Sequence, residues 1–178
     1  MRVIAGIAKG HNLLSPRGMD VRPTLDRVKE SLFSILYPYL KDASVLDLFS
    51  GTGALGIEAL SRGASACVFV DSSGESLSCT RDNLVKTKLE DMAVLEKCTF
   101  DVFLKKNTKK FDIIFLDPPY SKGIEDDVFR HIGGSLADGG VIVLETESPS
   151  SEYGGFEKIR SAKYGRVYIT LYQKEVCL

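Results

Sequence analysis

The stretch Leu46-Asp47-Leu48-Phe49-Ser50-Gly51-Thr52-Gly53-Ala54-Leu55-Gly56 constrains the fold more than any other. A short apolar run ends in a glycine-rich turn, and the turn opens directly into a helix-forming segment. Strand, glycine turn, helix is the first unit of a parallel sheet wrapped by helices. Its ligand crevice lies at the carboxyl end of the strand. The same alternation continues downstream. Residues 45–49, 66–70, 93–95, 111–116 and 141–145 read as strands, and 54–62, 76–86 and 127–136 as helices. Gly63 ends the first of these helices and Asp138-Gly139-Gly140 the last. Residues 156–161 and 166–172 read as two strands joined by a turn near Gly165. The expected architecture is α/β and Rossmann-like. It is a mostly parallel seven-stranded sheet with helices on both faces and an antiparallel C-terminal hairpin.

Two segments precede the first strand. Residues 1–20 read as a short β-hairpin extension, with arms at Arg2-Val3-Ile4-Ala5 and Asn12-Leu13-Leu14 and a bend at Gly6 and Gly10. Residues 21–178 form the domain proper. Thr24 caps its first helix, Asp26 sits in the first turn, and Pro38 stops it. Leu25, Val28, Leu32, Ile35 and Leu36 keep helical spacing between them.

At 178 residues the chain suits one core. Its formal net charge of -1 argues against indiscriminate nucleic-acid binding but leaves room for a local patch. Such a patch is present: up to residue 30, Arg2, Lys9, Arg17, Arg22, Arg27 and Lys29 outnumber Asp20, Asp26 and Glu30. That asymmetry points the N-terminal segment at an RNA backbone. For Lys29 a solvated helix face is the simpler reading, and for Lys105, Lys106, Lys109 and Lys110 a solvated loop. No apolar run is long enough to span a membrane, and the N-terminus lacks a signal stretch. Cys67, Cys79, Cys98 and Cys177 form no Cys-x-x-Cys pair, and His11 and His131 are the only histidines. No metal site is expected. The cysteines read as reduced, with Cys67 and Cys98 in the core, and the expected compartment is the cytoplasm.

The glycine turn alone fits a dinucleotide, S-adenosylmethionine (SAM) or a purely structural role. Asp71, 18 residues past Gly53, can bond the ribose hydroxyls of any adenosine-bearing ligand. Asp47 separates the alternatives. A carboxylate at the turn repels a pyrophosphate and attracts the ammonium and sulfonium charges of SAM. The second motif, Asp117-Pro118-Pro119-Tyr120, follows the strand at 111–116. Asp117 and the Pro118 carbonyl can each accept an N–H of a planar amine and aim its lone pair at a methyl group. Two prolines remove competing N–H donors, and Tyr120 can stack on a base. The plain alternative is a Pro-Pro loop exit. Both motifs end strands of one sheet, so both should open on one crevice.

On these residues the chain resembles the class I SAM-dependent methyltransferases with an Asp/Asn-Pro-Pro-Tyr/Phe motif. More narrowly, it resembles the RsmD family, which methylates N2 of a guanine in 16S ribosomal RNA. The narrower likeness rests on Arg2-Val3-Ile4-Ala5-Gly6, Arg22-Pro23-Thr24-Leu25-Asp26-Arg27-Val28-Lys29-Glu30-Ser31-Leu32-Phe33, Leu55-Gly56-Ile57-Glu58-Ala59-Leu60-Ser61-Arg62-Gly63 and Leu171-Tyr172-Gln173-Lys174.

The resemblance implies that Asp47, Phe49, Gly51, Thr52 and Gly53 line the methionine side of SAM. It implies that Asp71 and Ser72 hold the ribose, with Thr99 and Phe100 near the adenine. Asp117 would also border the cofactor, and with Pro118, Pro119 and Tyr120 it would grip the guanine, while Arg2, Lys9, His11, Arg22, Thr24 and Arg27 would face RNA. Two departures stand out: Thr99 takes a place where relatives often carry an acid, and His11 one where they tend to carry Arg. The implied partner is 16S rRNA within the small ribosomal subunit, with guanine 966 as target. The implied product is S-adenosylhomocysteine and the implied state a monomer. A DNA adenine or cytosine amino-methyltransferase and a non-catalytic SAM-binding assembly factor are the alternatives. Protein glutamine methylation goes with Asn at the first motif position and fits less well.

Overall fold

The computed structural model describes residues 1–15, 24–118 and 123–175, with residues 24 and 25 described by their backbone. Helix α1 (Thr24–Leu40) leads into strand β1 (Ser44–Asp47). Then come α2 (Ala54–Ser61), β2 (Ala66–Asp71), α3 (Gly74–Thr87), β3 (Ala93–Lys97), α4 (Phe100–Lys106) and β4 (Phe111–Leu116). Helix α5 (Ile124–Ile132) and strands β5 (Leu136–Thr146), β6 (Phe156–Tyr164) and β7 (Val167–Lys174) complete the order. The seven strands form one sheet in the order β3-β2-β1-β4-β5-β7-β6. β1 to β5 pair in parallel, and β7 pairs antiparallel with both β5 and β6.

The order reverses between β1 and β4, where the connections leave to opposite sides. That switch point opens the crevice beyond the strands' carboxyl ends. The centres of these strands are apolar because helices cover both faces: Val45, Leu46, Ile113, Ile114 and Phe115 are all inaccessible to solvent. One core packs α1 and α2 on one face, through Phe33, Leu36, Ile57 and Leu60. The other packs α4 and α5 through Leu104, Val128, Phe129 and Ile132.

Several element boundaries differ from those the sequence predicts. α1 runs through Pro38 to Leu40. A proline near the end of a helix removes one backbone bond, and burial of Leu40 favours continuing. α5 stops at Ile132, before Gly133 and Gly134, which form a tight 3-10 turn with Ser135. Asp138-Gly139-Gly140 therefore lies inside β5, where the pairing with β4 slips between Phe111 and Ile113. α4 went unread: its seven residues bury only Leu104, too short a run to show a period.

The N-terminal arms pair antiparallel: Arg2 bridges Asn12, Val3 N donates to His11 O, Gly10 N to Val3 O and Leu13 N to Met1 O. The segment is held down mainly by α2. Ile4 N and Ala5 N donate to the two oxygens of Glu58, at 2.9 and 3.1 Å, and Ala8 N to Ser61 Oγ at 3.0 Å. Gly6 is required here: its φ is +84°, and a Cβ would run into the Ser61 carbonyl. Glu58 is fully buried and also takes Lys29 Nζ at 2.9 Å and Arg62 Nε at 2.7 Å. One carboxylate thus ties the segment, α1 and α2 together.

Candidate active site

One cleft of about 770 Å³ lies beyond the carboxyl ends of β1, β2, β4 and β5. Asp47, Phe49, Gly51, Thr52, Asp71, Ser72, Thr99, Phe100, Asp117 and Pro118 all border it. Both sequence motifs therefore open on the same space, as strand ends at a switch point require. Gly53 stands behind the turn. Its φ of +75° and the 2.7 Å from a built Cβ to Thr80 Cγ2 leave room for glycine alone.

The turn is tightly held. Gly51 N donates to Asp71 Oδ2 at 2.9 Å, Gly53 N to Ser50 O at 2.7 Å, and Gly56 N to Asp47 Oδ2 at 3.1 Å. Thr80 Oγ1 donates to Gly51 O, and Asn83 Nδ2 to Thr52 O. Asn83 also bonds Leu14 N and O, so it links the turn to the N-terminal segment.

The cleft is strongly anionic. Asp47 is 3% exposed, and burial raises its carboxyl to about 7, helped by the nearby charges of Asp117 and Asp71. Among the described residues no cationic side chain pairs with it. Asp117 borders the open cleft, yet the surrounding walls desolvate it and hold its carboxyl above the ordinary range. As a proton acceptor it is therefore stronger than an unperturbed aspartate. Glu145, one strand over, is raised by burial and by Asp117.

SAM fits this chemistry. A positively charged ligand relieves the unpaired Asp47, and Ser50 Oγ beside the turn is buried with no partner among the described residues. Phe49 and Phe100 stand with ring centroids 5.7 Å apart on the wall near Thr99, suited to a flat heterocycle. The Thr99 hydroxyl donates to Asp101 Oδ1 at 2.6 Å, so it holds Asp101 at the cleft margin.

Other candidate residues lie elsewhere. Arg2, Lys9, His11 and Arg27 are exposed and do not border the cleft. Arg2 pairs with Asp26 at 3.0 Å, and His11 Nδ1 lies 2.9 Å from Ala8 O. Arg22, Pro119, Tyr120, Cys177 and the Thr24 side chain lie outside the described residues.

Two residues that the sequence reading placed otherwise matter here. Lys29 is 5% exposed, paired with Glu58, bonded to Arg2 O and set in the cleft wall. Its position four after Leu25 and three before Leu32 puts it on the apolar stripe of α1, the signal that marks it as buried. Cys98, read as core, is half-buried at the cleft. Glu145 had no motif to reveal it, and only the strand register brings it beside Asp117.

The family model described as conserved hypothetical protein 95 matches residues 1–173. YlbH of Bacillus subtilis strain 168 is 37% identical over 98% of this chain and 99% of its own length. Ribosomal RNA small subunit methyltransferase D of Escherichia coli K12 is 33% identical over 98% of this chain and 90% of its own length. The solved structure of YhhF from Escherichia coli matches with a TM-score of 0.87 at 31% identity, over 98% of both chains.

A switch-point crevice with a glycine turn and a cation-seeking carboxylate on this sheet defines a class I, SAM-dependent methyltransferase. The chain belongs to the conserved hypothetical protein 95 family, which is the RsmD family.

A cation bound against Asp47 would make binding depend on pH. In the ligand-free protein its proton leaves near pH 7, whereas a bound cation favours the charged form. Calorimetry should therefore show SAM affinity falling as pH drops below 7, by up to about tenfold per unit. Asp47→Asn should bind weakly at every pH with a flatter profile. A steep profile retained in that variant would assign the effect to another group.

Proposed function

We propose that this protein transfers a methyl group from SAM to the exocyclic N2 of a guanine in 16S rRNA, guanine 966 by family resemblance. Its target would be the small ribosomal subunit or an assembly intermediate, met as a monomer in the cytoplasm. The observation that carries this reading is the meeting of the glycine turn, Asp47 and Asp117-Pro118 in one cleft of an RsmD-family chain. The relative named ribosomal RNA small subunit methyltransferase D supports the choice of substrate.

Bound SAM supplies a methyl group already activated on a sulfonium, and S-adenosylhomocysteine is what remains. Asp47 and the turn hold the cationic end, Asp71 and Ser72 the ribose, and Thr99 and Phe100 the adenine. The guanine amine is a poor nucleophile because its lone pair is delocalised into the ring. Asp117 and the Pro118 carbonyl each accept one of its N–H bonds, turning the nitrogen so the lone pair points at the methyl group. As the N–C bond forms the nitrogen must lose a proton, and the raised carboxyl of Asp117 is placed to take it. Pro119 fixes the corner, and Tyr120 stacks on the base. A base stacked in RNA would have to swing out to reach them.

Arg2, Lys9, His11, Arg22, Thr24 and Arg27 provide the RNA-facing surface. Replacing exposed Lys9 and Arg27 together with Ala should raise the KM for subunits and flatten its salt dependence, with kcat unchanged. An unaltered salt slope would remove these two from the RNA contact.

The deciding comparison is methyl transfer from labelled SAM to undermethylated small subunits, naked 16S RNA and duplex DNA. Label on the subunit is expected. Label on DNA alone would favour a DNA amino-methyltransferase, and SAM binding with no transfer to any of the three a non-catalytic assembly factor.

A further inference from the structure

The cleft holds a further carboxylate, Glu145, that the proposed transfer does not use. In the parallel pairing of β4 with β5, Leu116 is registered with Leu144. The next residues, Asp117 and Glu145, therefore leave neighbouring strand ends side by side, at a strand spacing of about 4.8 Å. Both border the cleft. Glu145 is half-buried, and no described residue donates a hydrogen bond to its carboxylate or pairs with it as a cation. The nearest charge acting on it is Asp117, of the same sign. Two anions held side by side at a strand end carry an electrostatic cost unless a ligand supplies donors to both. Among the described residues no three such side chains are grouped to hold a metal ion.

A nucleobase edge with two adjacent donors satisfies the pair. Guanine has one: its N1–H and its exocyclic N2–H lie next to each other on the Watson–Crick edge. Adenine and cytosine each set their amine beside a ring nitrogen that accepts, so a second carboxylate there would face a lone pair. We propose that Glu145 is the specificity-determining residue for guanine, accepting N1–H while Asp117 accepts N2–H. The inference rests on the guanine-N2 reading above and explains why that base, rather than another with an exocyclic amine, enters the cleft. Its strength comes from the penalty of leaving a buried acceptor unpaired when N1–H is missing.

The test uses 2-aminopurine, which keeps the C2 amine but carries an acceptor in place of N1–H. Small subunits are assembled with 16S RNA bearing either guanine or 2-aminopurine at the methylated position. Transfer is measured at pH 8, above the range to which burial raises the two carboxyls. The wild-type protein should prefer guanine by about a hundredfold in kcat/KM. Glu145→Gln should lose at least tenfold on guanine and narrow the preference at least tenfold, because its amide can donate to the ring nitrogen of 2-aminopurine. SAM affinity, measured by calorimetry, should stay within about twofold, which separates the effect from misfolding.

Equal use of the two bases by the wild type would overturn the inference without recourse to any variant. A Glu145→Gln protein that binds SAM and keeps the full preference would overturn it too, leaving the guanine-N2 function standing. Absence of transfer to guanine by the wild type would overturn both.

Discussion

Asp117→Ala should reduce methyl transfer by about 10³-fold while SAM affinity changes by less than tenfold. The size follows from what one side chain does at the reacting centre. It orients the amine, stabilises the positive charge that builds on nitrogen, and accepts the proton; removing one such preorganised group costs about 10²- to 10³-fold. The separation from binding follows from position. Asp117 follows β4, whereas Asp47 ends β1 ahead of the turn and Asp71 ends β2. Asp117→Asn is the informative companion. It keeps one acceptor oxygen but loses the base, so it should fall between wild type and Ala. Single-turnover rates and calorimetric binding, measured together, check both halves. Equal losses of binding and rate in the Ala variant would instead make Asp117 a cofactor-holding residue.

Glu58→Ala should destabilise the fold by about 3–5 kcal/mol, the cost of breaking a buried ion pair from one side. Lys29, 6% exposed at its side chain, would be left charged without its partner. Ile4 N, Ala5 N and Arg62 would lose their acceptor as well. For a chain of this length that loss lowers Tm by about 10 °C or more. Because the same carboxylate pins residues 4 and 5, the N-terminal segment should loosen first, seen as faster amide exchange at Ile4 and Ala5. The double variant Glu58→Leu with Lys29→Met should recover only part of the stability: an apolar pair removes the uncompensated Lys29 charge, but Ile4 N, Ala5 N and Arg62 stay without their acceptor. Thermal unfolding of the three proteins decides it. A Glu58→Ala protein within 1 kcal/mol of wild type would show that the network contributes little.

Most of the sheet was legible because its signals are local. Apolar strands of four to six residues bounded by glycine and acid, with helices between them, specify a parallel α/β order, and the strand at Phe111–Leu116 matches residue for residue. The glycine turn and Asp117-Pro118 were legible for the same reason, since each is a contiguous motif at a strand end. What sequence could not show depends on register and on tertiary pairing. Glu145 acquires meaning only when β5 aligns with β4. Lys29 looked like solvated helix surface because its partner, Glu58, lies 29 residues on in an otherwise apolar helix. The docking of the N-terminal segment shows the same limit. Two short arms promise a hairpin, and backbone bonds do join them, but the bonds that dock the segment on α2 reach Glu58 and Ser61, 53 or 54 residues on.

The most direct measurement of the central claim is the identity of the modified nucleoside. Undermethylated small subunits are treated with methyl-labelled SAM and the protein, and their 16S RNA is digested completely and separated by chromatography with mass detection. Label confined to N2-methylguanosine, absent with Asp117→Ala, is the predicted result. Label on a different nucleoside, or on none while SAM binding is intact, would contradict the account.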